Sequence, residues 1–324
     1  YDVADITNVP HEHLDYHGSF ENYRSAKARQ FSMLAETAEK AYGNPRVAVL
    51  NRDDPSFDYF AELVDNLPKV RRFSYGLTDQ ATVWGTEIAQ STSGLRFAAV
   101  SKDYRFKVES TLTGDYNVLN CLAAVTATVN GLGIPMEYAQ RGIANLSGIP
   151  GRMERVILGQ DFIAIVDFAH TPNALRVSLE TARLLTKGKL IAVFGSAGLR
   201  DRGKRRMMAE VSSRLADITI LTAEDPRTES LEMILNEMEE GARAQGGIEG
   251  QTYWKIPDRG EAIRFAVAQA KTGDVVIACG KGHEQSMCFG EIEYPWDDRL
   301  AMRAALAERL GIPGLEMPKL PTSK

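Results

Sequence analysis

Three of the chain's five histidines fall within seven residues, His11-Glu-His13-Leu-Asp-Tyr-His17. Imidazoles and a carboxylate at that density suit a divalent metal. The stretch also reads as a polar loop in which Asp15 or Ser19 caps the next helix and the histidines stay in water. A second cluster, Gly195-Ser-Ala-Gly-Leu-Arg-Asp-Arg-Gly-Lys-Arg205, joins an apolar run to a helical one. Gly198 to Lys204 fits the phosphate-cradling spacing G-x-x-x-x-G-K, but Arg205 stands where a Ser or Thr would hold Mg²⁺. A nucleotide P-loop is therefore not expected there. Arg200, Arg202 and Lys204 at a helix N-terminus make a simpler anion site, or else a charged turn in solvent. Two further stretches, Glu224-Asp225-Pro226-Arg227-Thr228 and Gly280-Lys281-Gly282-His283-Glu284, repeat the theme. Together they could hold a zwitterion, Arg227 on its carboxylate and Glu284 on its ammonium. Asp-Pro and Lys-Gly are also ordinary turns.

These groups need elements to place them. Residues 1–7 read as a strand, 21–41 as a helix, 44–50 as a buried strand and 58–67 as a helix after a turn at 51–55. Two-residue alternation over 81–89, 95–101 and 104–111 predicts a small antiparallel sheet. Helices follow at 117–131 and 136–146. Ser147-Gly-Ile-Pro-Gly151 is a domain boundary by composition. Beyond it, strands at 162–167, 190–195, 218–222 and 275–279 alternate with helices at 172–185, 204–216, 231–245 and 261–271, and a last helix covers 299–310. That alternation predicts βαβ units and a mostly parallel sheet, whose ligands lie at the carboxyl ends of the strands. The loops 167–172, 195–204, 224–229 and 280–284 fall there.

The 324 residues, 44% of them hydrophobic, are enough for two domains with real cores. A formal net charge of -5 argues against a general nucleic-acid or anionic-membrane binder. No apolar run approaches the ~20 residues of a membrane span, so a soluble protein is expected. Three scattered cysteines are too few for a disulfide framework, Cys121 and Cys279 fall where buried reduced thiols are common, and a cytoplasmic location is expected. A domain seldom begins inside a strand, so an upstream part is expected.

From residue 7 to about residue 310 the motifs TNVPHEHLDYHGSFENYRSAK, GDYNVLNCLAA, GRMERV, VDFAHTPNAL, FGSAGLRDRGKR, EDPRTE and GKGHE follow in order. Singly each is weak. In that order the seven resemble the Mur ligases of peptidoglycan synthesis, nearest the branch that adds the third, diamino residue of the stem peptide. The resemblance implies an α/β protein: the remainder of a P-loop-type central ATPase domain over residues 1–147, and a Rossmann-like amino-acid-binding domain over 148–324. The family's N-terminal UDP-binding domain and its GKT/S phosphate loop do not occur in these residues, so a fragment of a longer ligase is expected.

Residue by residue, the resemblance makes His13 a Mg²⁺ ligand and Lys27 the lysine whose carbamate helps position a second Mg²⁺. Without it, Lys27 is one exposed lysine of an ordinary helix. Asn117 and Asn120 match the asparagines near adenine, with helix capping the other role for Asn117. Arg152 matches the arginine that reaches the ATP phosphates, Asp167 the ribose-binding acid, with His170 in the same loop, and Lys204 the phosphate side. Arg200, Glu224, Asp225, Arg227, Gly280 and Glu284 match positions that hold the incoming amino acid. Arg227 favours meso-diaminopimelate. Asp225, where the family has Asn, adds a charge that disfavours a second carboxylate and favours lysine or ornithine. Leu199 replaces an acid and Phe168 a tyrosine.

The implied reaction is ATP-dependent amide formation through an acyl phosphate, with ATP and Mg²⁺ as cofactors. The partners are UDP-MurNAc-L-Ala-D-Glu and a free diamino acid, with no nucleic acid, no membrane span and a monomeric enzyme. This chain by itself is expected to be inactive. Two other readings stand beside it: a folylpolyglutamate-type ligase, and a non-catalytic fragment that binds a nucleotide or amino acid.

Overall fold

The computed structural model describes residues 1–9, 18–91 and 94–323. The chain divides into two compact units, Tyr1–Ser147 and Gly148–Lys324.

The first unit is built on six strands: β1 (Val3–Ile6), β2 (Val47–Asn51), β3 (Arg71–Gly76), β4 (Val83–Ser91), β5 (Gly94–Val100) and β6 (Arg105–Ser110), adjacent in that order. The first four run parallel and the last three pair antiparallel. The antiparallel strands are thus not a sheet of their own, as the alternation predicts, but the end of a mixed one. Joining them is β3, whose Arg-Arg start masks its strand character. Strand alternation places Val47 and Val49 in one core layer and Ala48 and Leu50 in the other. Helix α1 (Phe20–Glu36) and α2 (Phe57–Asp65) cover the second layer through Phe31, Leu34, Phe60 and Val64. Helix α3 (Tyr116–Val125) covers the first through Val118, Leu122 and Val125 and runs on as a wider turn over Thr126–Gly131, followed by α4 (Met136–Ala144).

Ser19 caps α1, its Oγ accepting from Asn22 N at 3.2 Å. The helix ends about five residues before the predicted stop. Arg46 takes the carbonyls of Leu34 and Thr37 at 3.2 and 2.9 Å, and Asn44 closes the next turn on Lys40 N and Ala38 O. Those caps come from beyond the helix, so periodicity cannot show them.

The second unit holds a six-stranded sheet in the order β11-β10-β9-β12-β8-β7. Its strands are β7 (Glu154–Arg155), β8 (Ile163–Asp167), β9 (Leu190–Phe194), β10 (Ile218–Leu221), β11 (Tyr253–Lys255) and β12 (Val275–Cys279); only β7 is antiparallel. Helices α5 (Pro172–Leu185), α6 (Gly203–Leu215) and α7 (Leu231–Ala244) pack on one face; α8 (Arg259–Gln269) and α9 (Asp298–Leu310) pack on the other. Val275, Ile277 and Cys279 of β12 point to the first layer, Val276 and Ala278 to the second. This is the doubly wound arrangement that the alternation predicts. The short β7, β11 and the hairpin β13 (Ser286–Phe289) with β14 (Ile292–Pro295) carry too few residues to show a period. No helix among the described residues is long and apolar enough to cross a membrane. All three cysteines are free and buried.

Candidate active site at the carboxyl edge of the second sheet

Four neighbouring strands, β10, β9, β12 and β8, end at one edge, so the loops 222–229, 195–202, 280–285 and 168–171 are brought side by side. Long-range bonds tie them together. Gly198 N donates to Asp225 O at 2.9 Å, and Arg227 Nη1 donates to Gly198 O at 3.3 Å. Arg227 also bridges the hairpin: its N–H reaches Cys288 O at 3.1 Å and Gly290 N reaches its carbonyl at 2.8 Å. Leu199, Asp225 and Arg227 all have positive φ, at 56°, 41° and 53°. Each such non-glycine residue costs about 1–3 kcal/mol, and strain of this kind gathers at functional loops.

Glu224 is 5% exposed, and its Oε2 has no hydrogen-bond partner among the described residues. Burial pushes its carboxyl up to about 7, against the opposing pull of Arg259, Lys204 and Lys281. The Oγ of Ser196, 1% exposed at the end of β9, is likewise unpartnered. Two orphaned oxygens at one sheet edge mark a polar place for a ligand or ordered water.

The charge state of Glu224 makes a prediction. Below the unfolded-state value of 4.5 both states hold the proton; above it the unfolded chain releases the proton while the folded one keeps it until about 7. Stability from this group is therefore present below pH 4.5 and lost as pH rises to 7, by a few kcal/mol at most. Urea unfolding at the two ends of that range is expected to show a drop for the wild type that Glu224→Gln reduces by about 1 kcal/mol or more. Equal drops in the two proteins would refute the assignment.

Beneath these loops lies a residue that the sequence does not single out. Arg259, the first residue of α8, is fully buried and chelates the equally buried Asp298 through Nε and Nη2 at 2.7 and 2.6 Å. Its remaining donors reach Ala223 O, just past β10, at 3.1 Å and Cys279 O, the end of β12, at 2.8 Å. Trp296 Nε1 completes the set on Asp298 at 2.8 Å. The guanidinium thus bolts together the strand ends that carry Glu224 and Gly280.

The glycine loop differs from the expected anion site. Arg205 is wholly buried, paired with Glu229 at 2.9 Å and Glu237 at 2.8 Å, and Arg202 pairs with Glu237 as well. Both are structural ties, leaving Arg200, exposed, and Lys204, half-buried, as the cations open to a ligand. Lys204 Nζ lies 3.4 Å from His170 O. At the end of β8, Asp167 faces inward: it accepts from Met153 N at 2.7 Å, Ala169 N at 3.0 Å and Ser178 Oγ at 2.7 Å. It braces the loop and presents no open carboxylate. Phe168, half-buried, follows it, with Arg152 4.3 Å over its ring and the rings of His170 and His283 at 4.6 and 4.9 Å. Arg152 is itself exposed.

Comparison with known proteins settles the family. Residues 1–128 match the Mur ligase middle domain and residues 151–282 the Mur ligase glutamate ligase domain. The chain belongs to the Mur ligases. It is 43% identical over 311 residues to the UDP-N-acetylmuramyl-tripeptide synthetase of Roseiflexus sp. (strain RS-1), covering 95% of this chain and 60% of that protein. It is 40% identical over 309 residues to the UDP-N-acetylmuramoyl-L-alanyl-D-glutamate–2,6-diaminopimelate ligase of Geobacillus thermodenitrificans (strain NG80-2), covering 95% and 61%. Among solved structures, a UDP-N-acetylmuramoyl-L-alanyl-D-glutamate–2,6-diaminopimelate ligase is 34% identical with a TM-score of 0.60, covering 95% of this chain and 61% of that one. The MurF ligase of Thermotoga maritima in complex with ADP shares the fold at a TM-score of 0.63 and 20% identity, covering 87% and 58%. The chain thus spans about 60% of the length of the curated relatives it matches.

In the first unit of this Mur ligase, Lys27 is an exposed side chain on α1, its Nζ 5.5 Å from the centre of the Tyr23 ring one turn earlier. Asn117 is buried in α3, donates to Thr113 O at 2.7 Å and accepts from the exposed Asn120 at 3.0 Å. Its side chain does not cap the helix, whose N-cap position is Asp115. His13, with the rest of the histidine cluster, lies outside the described residues. Among the described residues no group of three or more His, Cys, Asp or Glu could hold a metal ion. Two residues read only as a turn position the entry to the histidine segment: Asn51 Nδ2 donates to Thr7 O at 2.7 Å, and Asp54 Oδ2 accepts from Val9 N at 3.0 Å. Asx residues beside an apolar strand were the signal for them.

Proposed function

We propose that the chain is the middle and C-terminal part of an ATP-dependent ligase that joins a diamino acid to UDP-MurNAc-L-Ala-D-Glu in the cytoplasm. The observation that carries this reading is the strand-end cluster of the second unit. There Arg200, Arg227, Glu224, Gly280 and Glu284 lie on loops that leave adjacent strand ends and bring both signs of charge to one edge, as the polar end of an amino acid requires. Asp225 shapes that loop. We assign Arg152, His170 and Lys204 to the nucleotide's phosphate side, with Asp167 bracing their loop, and Asn117 and Asn120 to the adenine. Lys27, as a carbamate, and His13 belong to Mg²⁺ in this reading.

The reaction proceeds in two displacements. The γ-carboxylate of D-Glu attacks the γ-phosphorus of ATP and ADP leaves. The amine of the diamino acid then attacks the acyl carbon; inorganic phosphate leaves and one proton is released. Mg²⁺, when bound, offsets the repulsion between the two anions of the first step. Guanidinium and ammonium groups such as those of Arg152 and Lys204 stabilise the phosphoryl charge as it shifts. The loops must also exclude water, because an acyl phosphate hydrolyses.

The test is amide formation read by mass spectrometry. The protein preceded by its family's GKT/S phosphate loop is supplied with ATP, Mg²⁺, the UDP-MurNAc dipeptide and one diamino acid at a time. Expected are one ADP and one phosphate per amide, and no amide from the 324 residues by themselves. Failure with diaminopimelate, lysine and ornithine alike would overturn the ligase reading; product from glutamate and a folate would move it to the folylpolyglutamate branch.

A further inference from the structure

The carboxylate of Asp225 is not left to repel a substrate. Lys281 Nζ lies 2.9 and 3.0 Å from its two oxygens, and Cys288 N donates to Oδ1 at 2.9 Å. Three contacts occupy it, and its side chain is only 18% exposed. Lys281 is 2% exposed and also contacts Glu284 at 2.7 Å, whose own side chain is 42% exposed. Arg227, two residues from Asp225, spends one bond on Gly198 O. Among the described residues no ion pair joins Arg227 to Asp225, whose cation is Lys281.

From this arrangement we propose that Lys281 is a specificity-determining residue of the amino-acid site. By neutralising Asp225 it keeps Arg227 available for a second carboxylate, while Glu284 takes the neighbouring ammonium. The far end of the preferred diamino acid is then a zwitterion, as in diaminopimelate, and not the bare ammonium of lysine or ornithine. Lys281 touches no reacting atom in this account; it acts through Asp225 and Arg227. Without it, Asp225 loses its cation, and a half-buried carboxylate that lacks a partner recruits one, for which Arg227 stands two residues along the same loop. The inference rests on the ligase reading above.

The experiment is steady-state kinetics of the ligase with each diamino acid, for Lys281→Met and for the double variant Lys281→Met with Asp225→Asn. Lys281→Met is expected to raise KM for diaminopimelate at least tenfold while kcat changes less than threefold. Adding Asp225→Asn to Lys281→Met is expected to lower that KM again by at least threefold, because removing the carboxylate removes the need for its counter-charge. A lysine that merely supported the loop would not be rescued in this way. A wild type that prefers lysine or ornithine overturns the inference and leaves the ligase reading standing, whereas no amide from any diamino acid overturns the reading itself. If Lys281→Met does not fold, the double variant decides: a KM for diaminopimelate still tenfold or more above wild type refutes the proposal.

Discussion

Replacing Arg259 by leucine is expected to destabilise the second unit by about 3–5 kcal/mol, the usual cost of stranding one partner of a buried ion pair. Among the described residues, Asp298, 0% exposed, would keep only the Trp296 indole N–H as a side-chain donor from another residue. The carbonyls of Ala223 and Cys279 would lose theirs in the same step. Unfolding in urea, followed through Trp254 and Trp296, both in this unit, measures the loss. Changing Asp298 to leucine as well is expected to recover part of it, since an apolar pair leaves no bare charge. A single-variant loss below about 1 kcal/mol would mean that the pair does not hold the strand ends together.

Gly280→Ala is the second large effect. The glycine has a φ of 113°, in the region L residues avoid, and an added Cβ would overlap Glu224 Oε2 and lie 2.9 Å from its Cδ. The backbone alone costs about 1–3 kcal/mol, and the carboxyl must also be displaced from its buried place. Stability is expected to fall by about 2–4 kcal/mol, and amide synthesis by the ligase by at least tenfold. Gly290→Ala is the control: it too has positive φ, but nothing lies within 4 Å of the added carbon, so about 1 kcal/mol is expected. Adding Glu224→Ala to Gly280→Ala should remove the overlap and return part of the stability. No return would place the cost in the backbone and not in the contact.

The strand-end position of Glu224 gives both substitutions a functional meaning. Arg259 holds the ends of β10 and β12, Gly280 allows β12's loop to approach Glu224, and Lys281 next to it neutralises Asp225. One short stretch of two adjacent loops therefore sets position, charge and access together.

Local chemistry made much of this protein legible in its sequence. Helix α5 begins and ends where its pattern predicts because Thr171 caps it and Pro172 opens it, both within one turn. The buried run Val275–Cys279 reads as a strand because it is short, apolar and bounded by turns. The alternation of such strands with helices placed the informative loops at one sheet edge, and the ordered motifs gave the family. The tertiary structure decided what no spacing shows: which charges are spent. Arg205 and Arg259 look alike in sequence to exposed helix-start arginines, yet both are fully buried on carboxylates 24 to 39 residues away. Asp225 meets its neutralising lysine 56 residues on, and Asp167 is turned inward by donors from two loops and a helix. Periodicity records which face of an element is apolar. A buried charge is settled by partners that only the folded chain brings within reach, because a charge left alone in a low-dielectric interior costs too much to keep.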